Sequence, residues 1–154
     1  MTAFLQPHTL IPNLSQLKNV SFMQAQIAND LSTNKRIAKN CLDLLFNQKR
    51  PAQAIAQYIA PNYRQHNPQA QDGPDGVLAF ATAYVKANPE LHMDFKRIIA
   101  EGEYVVVHSH QKRNPQDRGE AVVDIFRVQD GKLVEHWDVI QPVPAPSINR
   151  NTMF

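Results

Sequence analysis

Cysteine is nearly absent: Cys41 is the only one in 154 residues. No disulfide can form within the chain, so the fold must rest on its core, and a reducing compartment is the natural setting. Cys41 has no partner motif for zinc binding or nucleophilic catalysis. It sits in Ile37-Ala38-Lys39-Asn40-Cys41-Leu42, a helix-like stretch in which a small buried hydrophobe is expected. Glycine is scarce as well, and no Gly-rich phosphate loop, G-x-S-x-G, C-x-x-C or H-E-x-x-H occurs. No apolar run approaches the roughly 20 residues of a membrane span. The stretch Met1-Thr2-Ala3-Phe4-Leu5-Gln6-Pro7-His8 has no Lys or Arg ahead of a hydrophobic block, so it does not read as a secretory signal. Cytoplasmic location is the expectation. An excess of one charge is lacking too. Sixteen Lys and Arg stand against fourteen Asp and Glu, and the closest basic runs are the pairs Lys35-Arg36, Lys49-Arg50 and Lys112-Arg113. That footprint argues against a nucleic-acid partner, which needs a dense basic stripe.

What the chain does have is an ordinary globular composition, 43% hydrophobic, at the length of one domain. It divides into an N-terminal arm over 1–33, a folded domain over 34–142 and a Pro-containing tail over 143–154. In the arm, Pro7 and Pro12 break the first stretch. Leu14, Leu17, Val20, Met23, Ile27 and Leu31 then recur at helical spacing, which predicts a helix that packs on the body or on another subunit. Thr33 suits the N-cap of the next helix, whose apolar stripe is Ile37, Cys41, Leu44 and Leu45. Pro51 suits the first turn of another helix, through Ile55, Tyr58 and Ile59, stopped by Pro61. Asn62–Pro68 reads as a short extended piece or loop. A third helix runs from about Gly76 to Ala87 and buries Val77, Phe80, Ala81, Tyr84 and Val85.

The period then changes from helical to strand-like. Four strands are predicted over 91–100, 103–112, 119–128 and 132–141, with Asp130-Gly131 as a hairpin turn. Three helices followed by a four-stranded antiparallel meander make an α+β fold, with the helices over one face of a curved sheet and a pocket between the layers.

Alternation assigns faces within each strand. Tyr104, Val106, His108 and His110 share one face; so do Asp124, Phe126 and Val128; so do Val134, His136, Asp138 and Ile140, with Glu135, Trp137 and Val139 opposite. Asp138 lies among aromatic and aliphatic neighbours. There a carboxyl group is suited to acid/base work, or is a structural Asp paired with Arg127 or a His. His66 lies on a connection, where functional groups are often placed. His108 and His110 form an H-x-H pair without the Glu and glycine context of a metal barrel, so pocket hydrogen bonding is expected of them and no metal. Asp124 is able to orient an imidazole. Trp137, facing away from Asp138, marks a second layer or a subunit contact.

These residues resemble the SnoaL-like polyketide cyclases of the nuclear transport factor 2-like superfamily. The pieces that carry the resemblance are Tyr63-Arg64-Gln65-His66-Asn67-Pro68, Gly73 and Gly76 before a helix with Phe80, His108, Asp124-Ile125-Phe126-Arg127, and Gly131 through Gln141 with Glu135-His136-Trp137-Asp138. The resemblance spans roughly 34–142 and leaves the arm outside it. It implies a cone-shaped α+β barrel, usually dimeric, with a deep apolar pocket and no metal or organic cofactor. It also implies Asp138 as catalytic acid/base, with His66 and His108 as its imidazoles. Tyr63, Phe80, Asn67, His110, Asp124, Phe126 and His136 are the remaining pocket positions expected. The implied activity is aldol-type cyclisation or isomerisation of a small carbonyl compound. A non-catalytic module binding a small hydrophobic ligand is the alternative, and an interaction or scaffold protein dimerising through the outer sheet and the arm is a third reading.

Overall fold

A computed structural model describes residues 14–154 of the chain. The expected irregular arm over 1–13 lies outside the described residues. Two compact units divide at Asp30 and Leu31. In the first, Leu17, Val20, Phe22 and Met23 are exposed.

Helix α1 spans Leu14–Leu42 and passes into a π-helical turn, Asp43–Asn47. Thr33 therefore caps nothing: it lies inside α1, because Leu31-Ser32-Thr33-Asn34-Lys35-Arg36 holds no Pro or Gly to stop propagation. Helix α2 is Pro51–Tyr58, with Pro51 in its first turn as expected. It ends before Ile59, not after it. Ala60 precedes Pro61 and so disfavours helical geometry, and the chain turns extended from Ile59.

That extended run is strand β1, Ile59–Gln65. It is followed by helix α3 (Gly73–Ala87) and strands β2 (His92–Glu101), β3 (Tyr104–Lys112), β4 (Glu120–Gln129) and β5 (Lys132–Pro142). Asp72 caps α3 by accepting from the Gly73 amide, and Pro74 follows in the first turn. The last four strands are the expected meander, and β1 adds a fifth. The order is β1-β5-β4-β3-β2, antiparallel except that β1 runs parallel to β5. The sheet is curved and open, so the expected barrel is unclosed. Pro61 is tolerated because β1 is an edge strand.

The core lies between this sheet and the helices. Ile37, Cys41, Leu44 and Leu45 from the end of α1 and its π turn meet Val77 and Ala81 of α3 and Val105, Val107, Phe126 and Leu133 of the sheet. Asn47 locks the π turn to the far edge strand. Its Nδ2 donates to the Met93 carbonyl at 3.0 Å and its Oδ1 accepts from the Met93 amide at 2.8 Å. Among the described residues, no helix is long and apolar enough to cross a membrane.

Candidate active site

Strand register decides which side chains meet. Asp124 on β4 stands opposite Asp138 on β5, and Phe126 opposite His136. Cross-strand partners share a face, so all four look toward the helices. On β1 and the turn after it, alternation puts Tyr63, Gln65 and Asn67 on that same side. With Val77, Phe80, Ala81 and Tyr84 of α3 they line a cavity of about 310 Å³. Cys41, Leu42, Leu45, Tyr63, Met93, Val122, Asp124 and Phe126 in its wall are buried, whereas Gln69, Arg113, Ile140 and Pro142 are exposed and mark the mouth.

The polar groups form a connected set. His136 Nε2 lies 3.0 Å from Asp124 Oδ1, and its Nδ1 lies 2.8 Å from Gln65 Oε1. The Asn67 backbone amide donates to the same Gln65 oxygen at 2.9 Å. An amide can only donate, which fixes that atom as the oxygen and requires a proton on His136 Nδ1. One further proton is then shared between Nε2 and Asp124 Oδ1. Either the imidazole is neutral and Asp124 is the acid, or the imidazolium faces a carboxylate. Burial raises the Asp124 pKa, against the lowering effect of its bond to His136. Its second oxygen, Oδ2, is buried without a partner among the described residues, which also favours the protonated acid.

Asp138 is the less buried of the two carboxyls. Its Oδ2 accepts from Asn67 Nδ2 at 2.5 Å, and no described residue bonds its other oxygen. Asn67 is itself fixed, since its Oδ1 accepts from the Gln69 amide at 2.7 Å. Burial also raises the Tyr63 pKa, with Cys41, Asp124 and Asp138 adding to the effect. The phenol therefore keeps its proton and remains a donor. The Cys41 thiol is pushed up to about 12 by burial, which makes it inert.

Asp124, His136 and Asp138 are also the group among the described residues that could hold a metal ion, with ligand atoms within 4.8 Å of one another. A cation there would have to displace the proton between His136 and Asp124.

Of the expected catalytic residues, Asp138 lines the cavity, and His66 and His108 do not. Both lie on the other face of the sheet. His66 follows Gln65 in the alternation and points outward, donating from Nε2 to Glu135 at 3.0 Å and stacking on Trp137 with centroids 4.8 Å apart. Glu135 is held well below the usual carboxylate range, first by His66 and then by Arg127. His108 is the register partner of Val123, whereas Val107 is the partner of Asp124. Its Nδ1 accepts from Arg97 at 2.7 Å, which requires a neutral ring there; desolvation and then the Arg97 charge lower its pKa. His110 also leaves the expected pocket. It donates to the Arg118 carbonyl at 2.7 Å and stacks on Phe154. The imidazole that joins Asp138 in the cavity is His136, expected as a pocket contact only. Tyr63, Asn67, Phe80, Asp124 and Phe126 line the cavity with it.

Gln65, Tyr84, Gln111, Arg113 and Glu120 also line it without having been singled out as site residues. The signal for Gln65 was its period-two relation to Tyr63 and Asn67. For Gln111 it was its place on the Val105, Val107 and Ser109 face.

The SnoaL-like domain model matches residues 40–136. A search of curated proteins finds no match to the sequence. Solved structures share the fold at low identity. TsrD from Streptomyces laurentii is 20% identical, with a TM-score of 0.60, covering 71% of this chain and 88% of its own. A Bacillus cereus ATCC 10987 protein described as a "Putative polyketide cyclase" is 21% identical, with a TM-score of 0.59, covering 68% of this chain and 71% of its own. A Kribbella flavida DSM 17836 protein described as a "putative ketosteroid isomerase" is 19% identical, with a TM-score of 0.61, covering 79% of this chain and 87% of its own. With residues 40–136 matched and the sheet, helices and cavity arranged as described, the chain belongs to the SnoaL-like domain family.

Proposed function

We propose that the chain is an enzyme that moves a proton on a small carbonyl compound, with Asp138 as the acid/base. The observation that carries this reading is the state of Asp138. One oxygen is tethered by Asn67 and the other faces a largely apolar cavity. The His136–Asp124 pair beside it holds its own proton, so Asp138 remains the single uncompensated carboxylate in the cavity.

Asp138 takes the proton from the carbon next to the carbonyl. The C–H electron pair becomes the C=C of an enolate, and negative charge moves to oxygen. Tyr63 donates its O–H to that oxygen, and a donor already in place where charge develops often lowers the barrier more than any other group. Where a C=C adjoins the enolate, its electron pair takes the proton from Asp138 at the far carbon and the double bond moves into conjugation with the carbonyl, which isomerises the compound. In a ring closure the enolate carbon instead attacks a second carbonyl carbon, and the new alkoxide takes the proton. Descriptions of the B. cereus and K. flavida neighbours as cyclase and isomerase agree with either outcome. The reading includes a cytoplasmic homodimer, its subunits meeting through the outer sheet face where Tyr104 and Trp137 sit with ring centroids 6.4 Å apart.

The test is exchange of α-hydrogens of small ketones in deuterated water, followed by NMR. Wild-type protein accelerates exchange. Asp138→Asn should slow it at least about a hundredfold, the share general acid/base catalysis commonly supplies. Exchange at the wild-type rate in that variant removes the proposal and leaves a ligand-binding module.

A further inference from the structure

The cavity has two polar stations, and the mechanism uses only one. Along β4, Glu120, Val122, Asp124 and Phe126 all line it, so polar and apolar side chains alternate down its length. Glu120 and Asp124 are four positions apart on the strand, about 13 Å between backbones. Val122 and Ile140 fill the interval from the sheet and Phe80 lines the helix side.

The outer station is built from three elements. Gln111 Nε2 donates to the Tyr84 oxygen at 2.8 Å. Arg113 Nη2 donates to Glu120 Oε1 at 2.9 Å. With its oxygen accepting from Gln111, Tyr84 has its own O–H left to give. Glu120 has a second carboxylate oxygen left to accept. The charges of Arg113 and Glu120 compensate each other. A ligand carboxylate would meet Glu120, and a ligand ammonium would meet Arg113. A neutral hydroxyl, which gives one hydrogen bond and takes another, matches what the station offers.

Volume sets the size of the occupant. A dry cavity of about 150 Å³ holds one benzene ring, and this one has about 310 Å³. That is space for roughly a dozen non-hydrogen atoms by the same measure, not for a fused multi-ring skeleton.

The geometry points to a compact, neutral, single-ring hydroxy-ketone as the substrate class, its carbonyl at Asp138 and Tyr63 and its hydroxyl at Tyr84, Arg113 and Glu120. The carbonyl end rests on the proton-transfer reading above; the hydroxyl end and the size limit do not.

Calorimetric titration of the full chain with four probes tests it: phenylacetone, 4-hydroxyphenylacetone, its 4-carboxy analogue and a hydroxyanthraquinone. The 4-hydroxy ketone should bind at least about tenfold more tightly than phenylacetone, and the carboxylate and the three-ring compound should bind more weakly than either. Tyr84→Phe and Glu120→Gln, which keep ring and volume, should each bring the hydroxy-to-parent affinity ratio close to one. Equal affinities in the wild type, tighter binding of the carboxylate or the anthraquinone, no binding of any probe, or a ratio untouched by both variants would overturn the inference. Exchange of the bound ketone's α-hydrogens separates the two claims. A correct affinity order with exchange indifferent to Asp138→Asn sinks the proton-transfer reading alone. Exchange that depends on Asp138 without a hydroxyl preference sinks the substrate class alone.

Discussion

Asp124 and Asp138 are direct cross-strand partners on the concave face of the sheet, yet only Asp124 is bonded to an imidazole. Two carboxylates so placed cannot both stay charged cheaply. His136 settles the conflict by bringing one proton to Asp124, and Gln65 holds His136 in the state that makes this possible. Asp138 is bonded by Asn67 instead, and in the proposed reaction it is the group that moves the proton. The arrangement gives two similar side chains different partners, an imidazole for Asp124 and an amide for Asp138.

The first prediction concerns that proton. The folded-state pKa of Asp124 is raised, chiefly by burial. Its contribution to stability is therefore complete below the unfolded value of about 3.9 and is lost as pH rises through the folded value. Asp124→Asn copies the protonated acid, since its Nδ2 can donate to His136 Nε2. Thermal unfolding should show the variant level with wild type near pH 4 and more stable by pH 8. His136→Ala should instead cost about 3 kcal/mol or more at neutral pH, because it leaves a buried carboxyl without a partner and a void beside Phe126. If the Asp124→Asn protein lost ground to wild type as pH rose, the fold would need the carboxylate and not the acid.

Gln65 acts through another residue, and its test must read that residue. In the wild type the His136 Nδ1 proton should appear in nitrogen-edited NMR as a slowly exchanging signal. Gln65→Leu removes the acceptor and should abolish that signal while lowering turnover about tenfold, since Asn67 loses the same oxygen. Gln65→Glu restores an acceptor and adds a negative charge. It should recover the Nδ1 proton signal. An unchanged imidazole spectrum in both variants would disprove the positioning role.

His66 and His108 sit on the outer face, so removing either imidazole should leave turnover within about twofold. His108→Ala breaks only the Arg97 bond and the Phe154 contact. His66→Ala removes a stack on Trp137 and a bond to Glu135, and any loss should register in unfolding rather than in catalysis. A hundredfold fall in turnover for either variant would put an imidazole from the outer face into the chemistry.

Much of this was legible in the letters. Period-two alternation separated His136 and Asp138 from Glu135 and Trp137, and the structure keeps that division. The same rule, applied to Tyr63, Gln65 and Asn67, puts His66 outward; applied to Val105, Val107, Ser109 and Gln111, it puts His108 outward. His66 was drawn into the pocket by its place on a connection and His108 by its H-x-H pair, and the family resemblance reinforced both against that arithmetic. Other features were out of reach. Strand β1 pairs with β5 across some seventy residues, down to a bond from the His66 amide to the His136 carbonyl at 3.0 Å. No local pattern encodes a partner so distant. The join at Thr33 failed for another reason: a good N-cap residue starts a helix only where the preceding chain cannot already be helical.

Asn67 offers the sharpest test of the division between the two carboxyls. Its Oδ1 holds the Gln69 amide and its Nδ2 holds Asp138. Asn67→Asp keeps the first bond and turns the second into a contact between two acids. The loop should therefore stay in place, and the melting temperature at acid pH, where two carboxyls so close share a proton, should fall little. The reactive carboxylate is then no longer free, because the shared proton occupies it or its neighbour. Turnover near pH 7 should fall at least about tenfold and recover in part as the pH is raised and the pair gives up its proton. Asn67→Ala removes both bonds, so its activity should fall without any such recovery. The pH profile separates a lost proton site from a loosened loop, which a single activity value cannot do. If Asn67→Asp instead matched wild type across the pH range, the Asn67–Asp138 bond would have no part in setting the base, and Asp138 would have to be held by some group outside this arrangement.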